Sequence, residues 1–303
     1  MKITRRAPAK INLFLHMTGK REDGYHLLRS LMQTVSLYDE ITVSAEPSAE
    51  DGAIHLLTED SELSTLGMKN TVLRAAGLFM DEMSGKPFDI TIELNKSIPS
   101  QAGLGGASSD AAATLMALSE LFPAAVSRKR LLDLALQIGA DVPFFFSGGT
   151  TLCEGVGEIL TEATSLTGLP ILLLKPVKGV STPGCYARFD RSASPRLISE
   201  EEKTILNEFL YPQEETDPLR RLKKARPILW NDLYEPALHD APEMADAIAF
   251  MESNGAVYAA MSGSGSTVFG VFEDMEPIRD MLNSKAYSSF AIEGWRAFPV
   301  TAI

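Results

Sequence analysis

An α+β fold in two domains is predicted by this sequence on three observations. Its 303 residues are about twice the length of a common domain. The first half interleaves short strand patterns with helical ones, and the last third alternates helices with strands. A composition of 45% hydrophobic and 22% charged residues suits a folded core and excludes both disordered and fibrous classes. The boundary is expected near residue 160, giving segments 1–160 and 161–303.

Ile3 to Arg6, Ile11 to Met17, Asp39 to Glu46 and Phe88 to Leu94 carry β-branched or alternating residues, with breaks at Gly19, Asp23-Gly24 and Asp51-Gly52. Asn70 is placed to cap a helix reaching about Met83, and Ser108 or Ser109 to cap one reaching Leu121. Ser127 opens a third helix, in which Leu131, Leu134, Ala135 and Ile138 recur at helical spacing. Ile171 to Lys175 is strand-like. Residues 192–226, dense in charge and containing Pro195, Pro212 and Pro218, read as partly mobile surface. Beyond them a helix is expected near 242–253, strands at 257–261 and 267–272, a helix near 277–284, and a closing strand.

The net charge of −12 argues against nucleic acid or an anionic membrane as partner, since both need positive surface. Residues 1–30 are an exception, with seven Lys/Arg against Glu22 and Asp23; they could hold a small anion or form a solvated edge. Cys153 and Cys185 are too few for a disulfide framework and lack metal-ligand spacing, which fits a reducing, cytoplasmic setting. No apolar run approaches a membrane span, and Lys10, Asn12 and His16 interrupt any secretory pattern at the N-terminus.

The most informative stretch is Ile98-Pro99-Ser100-Gln101-Ala102-Gly103-Leu104-Gly105-Gly106-Ala107-Ser108-Ser109, a glycine-rich loop between a strand and an alanine-rich helix. Glycines let backbone N–H groups converge and the helix start adds its positive dipole end, a cradle for phosphate. A bare strand-to-helix connection is the competing reading. The Gly-x4-Gly-Lys pattern of P-loop enzymes, the Gly-x-Gly-x-x-Gly of dinucleotide folds and the protein-kinase signatures are all missing. Lys10 and Asp141 each sit among apolar residues, where pairing would offset the cost of burying either charge, in a site or simply as a structural ion pair. Ala260 to Phe269, with Gly263-Ser264-Gly265, reads as a tight hairpin.

Taken together, Pro8-Ala9-Lys10-Ile11-Asn12, Gly24-Tyr25-His26, the 99–109 loop, Gly139-Ala140-Asp141-Val142-Pro143 and Gly263-Ser264-Gly265 resemble the 4-diphosphocytidyl-2-C-methyl-D-erythritol kinases, a branch of the GHMP small-molecule kinases. The resemblance implies a nucleotide-binding N-terminal domain like ribosomal protein S5 and a ferredoxin-like C-terminal domain. It further implies phosphorylation of the 2-hydroxyl of 4-diphosphocytidyl-2-C-methyl-D-erythritol by ATP with Mg2+, in the non-mevalonate route to isoprenoid precursors. Asp141 matches the general base and Lys10 its orienting cation. Pro99, Ser100, Gln101, Ala102, Gly103, Leu104, Gly105, Gly106, Ala107, Ser108 and Ser109 match the triphosphate cradle, and Asn70 and Lys96 match nucleotide contacts. Asn12, Tyr25 and His26 match the grip on the cytidine end, with Tyr186 matching the aromatic that stacks on the cytosine. No protein metal ligand is implied. Ala107, where the family often has a third glycine, and Gln101-Ala102 depart from the common pattern; Ala107 requires a negative φ. A homoserine or mevalonate kinase would share the loop without Lys10 or Tyr25-His26. A binder without turnover would have no use for an aligned base, and a dinucleotide oxidoreductase lacks its fingerprint.

Overall fold

The computed structural model describes residues 1–49, 51–84, 87–123, 125–192, 195–292 and 294–303, with backbone alone at 62 and 289–292. The first two strands are far longer than the sequence patterns suggest. β1 (Lys2–Lys20) joins the two expected runs through Ala7-Pro8-Ala9, and β2 (His26–Pro47) starts well before Asp39. β3 (Ile54–Thr58), the short α1 (Ser61–Thr65), α2 (Thr71–Asp81) and β4 (Phe88–Asn95) follow. Next come α3 (Gly106–Leu121) and α4 (Arg128–Ile138). β5 (Thr150–Gly155), β6 (Ile159–Glu162) and β7 (Pro170–Lys175) precede α5 (Thr182–Ser192), α6 (Glu200–Leu210), α7 (Pro218–Ala225) and α8 (Tyr234–Leu238). α9 (Met244–Ser253), β8 (Tyr258–Met261), β9 (Val268–Val271), α10 (Glu276–Leu282), α11 (Lys285–Ile292) and β10 (Arg296–Thr301) complete the chain.

Two compact units interleave along the sequence. The first comprises Met1–Ala9, Leu37–Ser100 and Gly105–Ser147; the second comprises Lys10–Ser36, Gln101–Leu104 and Gly148–Ile303. This division differs from the single boundary expected near residue 160, because β1 and β2 each contribute one half to each unit.

In the first unit β4 lies between the second half of β2, antiparallel from Glu40↔Asn95 to Pro47↔Phe88, and β3, parallel from Ile54↔Ile90 to Thr58↔Leu94. α2 buries Val72, Ala75, Ala76 and Phe79, and α4 buries Leu131, Leu134 and Ala135. α3 packs against both with Ala111, Ala112, Ala113, Leu115, Ala117 and Leu118 buried. Small side chains nearly all round α3 let its neighbours approach closely.

In the second unit the first half of β2 pairs with β5 and β5 with β6, all antiparallel. A separate four-stranded antiparallel sheet has the order β10-β7-β9-β8. Its core gathers Leu172, Leu174, Val268 and Phe272 with Phe189, Ala237, Met244 and Met251 from the helices. Residues 192–226, expected to be in part mobile surface, hold α6 and α7 over most of their described length. Ser199 and Glu202 form a reciprocal cap at the start of α6, and the Asp217 carboxylate caps α7. Arg221 is buried and donates to the carbonyls of Phe209, Thr164 and Ser165 at 2.6–3.2 Å, which engages four of its five N–H groups with no acidic partner among the described residues.

Candidate active site

The glycine-rich loop follows β4 and runs into α3. Gln101, Gly103 and Gly105 take φ values of 50°, 72° and 69°, left-handed backbone that glycine adopts without strain and glutamine does not. Gly105 is the N-cap of α3, which therefore begins at Gly106, ahead of the serines expected to cap it. Ala107 lies within the first turn and its carbonyl accepts from the Thr71 hydroxyl at 2.9 Å. The leading N–H groups of a 16-residue helix with no side-chain cap are left to bind an anion.

The β8–β9 hairpin expected from Ala260 to Phe269 forms, and it backs the loop. Ser262 Oγ donates to the Gly103 carbonyl at 2.8 Å, and Thr267 N–H donates to that of Ala102 at 3.1 Å. A Cβ on Gly103 would lie 2.1 Å from the Ser262 carbonyl oxygen, so no other residue fits. Ala102 and Leu104 are buried and anchor the loop through their side chains.

Lys96, one residue past β4, is gripped by two carboxylates. Its ammonium donates to Asp39 and, at 2.7 Å, to Asp110. Asp39 also accepts the backbone N–H groups of Ser97 and Ile98 at 2.6 and 2.8 Å. Burial pushes the Asp110 carboxyl up to about 7, with the Asp39 carboxylate adding to the rise and Lys96 opposing it. Burial also works against the Lys96 ammonium, but the two carboxylates outweigh it and hold its pKa above the usual lysine range. Gly106 faces this cluster, since a Cβ there would sit 3.3 Å from Lys96 Nζ. The sequence reading selected Lys96 and missed Asp39 and Asp110.

Asn70 caps α2, its Oδ1 accepting Val72 N–H at 2.9 Å while its Nδ2 donates one hydrogen to the Leu63 carbonyl. Asp141 is partly buried in the turn between α4 and the short 3-10 turn Pro143–Phe146. Lys10 is buried, and its Nζ donates to Asn12 Oδ1 at 2.5 Å. The Asn12 amide in turn donates to Ser30 Oγ at 2.7 Å, and its backbone N–H reaches Ser262 Oγ at 3.2 Å. Asn12 therefore serves Lys10 directly.

Tyr25, His26 and Tyr186 fall in the second unit. The His26 ring lies 4.8 Å from that of Tyr186, while the Tyr25 side chain is exposed in the turn before β2. Lys20, one of the seven basic residues of 1–30, and Asp190, which the sequence reading passed over, complete the cluster: Asp190 accepts from His26 Nε2 and from Lys20 Nζ, both at 2.6 Å. These hydrogen bonds, Lys20 first and His26 second, hold the Asp190 carboxyl below the usual range. A cavity of about 900 Å3 lined by Arg188, Arg191, Trp230 and Tyr234 also opens on this unit, and of the stretches selected from the sequence only the start of the hairpin, Ala260 and Met261, lines it.

A phosphate cradle at a helix start, a buried lysine network and an aromatic cluster suit a small-molecule kinase, and the comparisons agree. The profile described as GHMP kinases N terminal domain matches residues 70–149, and that described as GHMP kinases C terminal matches residues 240–288. A 4-diphosphocytidyl-2-C-methyl-D-erythritol kinase from Clostridium perfringens (strain 13 / Type A) is 39% identical over 270 residues, 89% of this chain and 88% of the relative. A crystal structure of 4-(cytidine 5'-diphospho)-2C-methyl-D-erythritol kinase superposes with a TM-score of 0.73 at 34% identity, covering 99% of this chain and 100% of the other. The chain belongs to the 4-diphosphocytidyl-2-C-methyl-D-erythritol kinase family. A homoserine kinase from Cytophaga hutchinsonii superposes equally well, with a TM-score of 0.74 over 100% of this chain and 95% of the other, at only 19% identity. The fold is therefore shared across acceptors, and side chains must choose among them.

Proposed function

We propose that this protein transfers the γ-phosphoryl group of ATP to the 2-hydroxyl of 4-diphosphocytidyl-2-C-methyl-D-erythritol, in the non-mevalonate route to isoprenoid precursors, as a cytoplasmic enzyme with no nucleic-acid or membrane partner. Asp141 accepts the hydroxyl proton and Lys10, set by Asn12, steadies the developing charge. Residues 99–109 cradle the triphosphate, with Gly105 and the first turn of α3 supplying N–H groups. Asn70 and Lys96 contact the nucleotide, and Asn12, Tyr25, His26 and Tyr186 hold the cytidine end. The functional division runs between segments 1–160 and 161–303.

Mg2+ enters with ATP. The triphosphate would carry the ion in on its own oxygens. Ser109 Oγ, buried and without a hydrogen-bond partner among the described residues, fits as the protein's donor to that ion. Bound there, the ion would neutralise charge on the phosphoryl oxygens.

One observation carries the choice of acceptor. The His26 and Tyr186 rings, 4.8 Å apart, offer aromatic faces and a ring nitrogen that a nucleobase uses and a small amino acid or hydroxy acid does not. Purified protein with ATP and Mg2+ should release ADP when given the cytidyl substrate and stay at background with homoserine or mevalonate. Comparable release with either small acceptor would overturn the assignment.

A further inference from the structure

Within the second unit, Asp190 stands at the centre of a short chain of hydrogen bonds: Lys20 Nζ donates to its Oδ2 and His26 Nε2 to its Oδ1, each at 2.6 Å. An ionised carboxylate only accepts hydrogen bonds, so the ring nitrogen facing it must carry the hydrogen. Neutral His26 is therefore fixed as the Nε2–H tautomer, an assignment made from its hydrogen-bond network. Its other nitrogen, Nδ1, then offers a lone pair. No partner for Nδ1 occurs among the described residues. Packing limits rotation of the ring, which lies 4.8 Å from Tyr186 on one side and 6.3 Å from Phe189, edge-on at 76°, on another.

From this geometry we infer that Asp190 is a specificity-determining positioning residue, which makes His26 select a pyrimidine bearing an amino group over one bearing a carbonyl at the same position. The inference rests on the reading of His26 as part of the cytidine site. Cytosine presents an exocyclic N–H2 donor where uracil presents an acceptor oxygen. A bare Nδ1 accepts from the former and repels the latter, which leaves two lone pairs facing each other. Without Asp190, the tautomers interconvert and the ring can offer N–H to either base. Lys20 contributes at one remove, by keeping Asp190 ionised and turned toward the ring. α5 makes the arrangement possible, since Tyr186 and Asp190 are four residues apart and so lie on one face.

Two measurements test this. Nitrogen-15 correlation spectra of the imidazoles at pH 8, with His26 assigned by its loss in His26→Gln, should show the Nε2–H tautomer in the wild type and a mixture in Asp190→Ala. Competition binding of CDP and UDP should show a wild-type preference for CDP, which Asp190→Ala reduces about tenfold, as expected for one hydrogen bond. Asp190→Asn, whose amide oxygen still accepts from Nε2–H, should retain most of it. An Nδ1–H tautomer in the wild type overturns the inference, as does an unchanged CDP preference in a folded Asp190→Ala variant. The wild-type spectrum decides the tautomer even if that variant does not fold. If the tautomer and the CDP preference hold while the cytidyl substrate is not turned over, the proposed reaction falls and the role of Asp190 stands.

Discussion

A carboxylate and an amide have nearly the same shape, and at position 141 the difference between them is the ability to take a proton. Asp141→Asn should therefore keep the fold and ATP binding while kcat falls by about 10² to 10⁴, read by an ADP-release assay beside a nucleotide titration; near-wild-type kcat would remove Asp141 as the base. Gly103→Ala should fail differently. Its added methyl would meet the Ser262 carbonyl oxygen at 2.1 Å in a backbone conformation with φ of 72°, so the loop must shift and KM for ATP should rise at least tenfold. Unchanged ATP affinity in the folded variant would make the loop a connector. At this scale the sequence was legible where a residue is out of place in its neighbourhood, as Lys10 is among apolar residues. It was not legible for Asp39, which sits within an ordinary strand pattern and whose partner Lys96 lies 57 residues away.

At the scale of elements, α5 presents Tyr186 and Asp190 on one face, and its register decides which ring meets His26. Tyr186→Ala should raise KM for the acceptor roughly ten- to a hundredfold through loss of a stacking face, with KM for ATP unaffected; a lowered melting temperature with both constants unmoved would mark Tyr186 as packing alone. In the region 192–226 dense charge and three prolines hide two helices, although Ser199-x-x-Glu202 and Asp217-Pro218 are ordinary helix-start signals. Ser199→Ala removes one half of the reciprocal cap on α6 and should cost about 1 kcal/mol. Denaturant unfolding checks the cost, and faster amide exchange should be confined to the first turn of α6. The strand ends were obscured by Pro8, which usually marks an edge or a break, yet β1 passes through it. The helix beginning at Gly106 was placed late because serines are the commoner caps and a left-handed glycine leaves no side-chain signal.

For the molecule as a whole, His16 ties stability to pH. It is buried, stacked 3.8 Å from Trp230, and bonded through Nε2 to the Ile228 carbonyl, while Nδ1 has no partner among the described residues. Burial, ahead of the nearby cations Arg29 and Arg196, lowers its pKa to about 4. Because the folded value lies below the unfolded one, about 6.5, the contribution is complete above pH 6.5 and is lost as pH falls toward 4. Between pH 7 and 5 the wild type should lose about 2 kcal/mol more than His16→Gln, whose amide can still donate to Ile228 and does not titrate. Equal slopes in denaturant titrations would refute the assignment. The α+β class was legible in the sequence from local periodicity, but the interleaving of the units was not, because it depends on pairings such as Leu28↔Gly155 that no local window contains.

That interleaving also imposes an order in time. Every piece of the first unit lies before residue 148, so it can close while the rest of the chain is still being synthesised. Residues 10–36 of the second unit, translated early, must wait for partners as late as Ala302, which bridges Val35, and Ile303, which bonds Thr34. Leu15 and Met17 of that segment pack in one core with Leu172, Met261 and Phe272, so until those later residues leave the ribosome this part of β1 is without the neighbours that bury it. A stalled or C-terminally clipped nascent chain would therefore present to chaperones the segment that begins with the lysine assigned to catalysis.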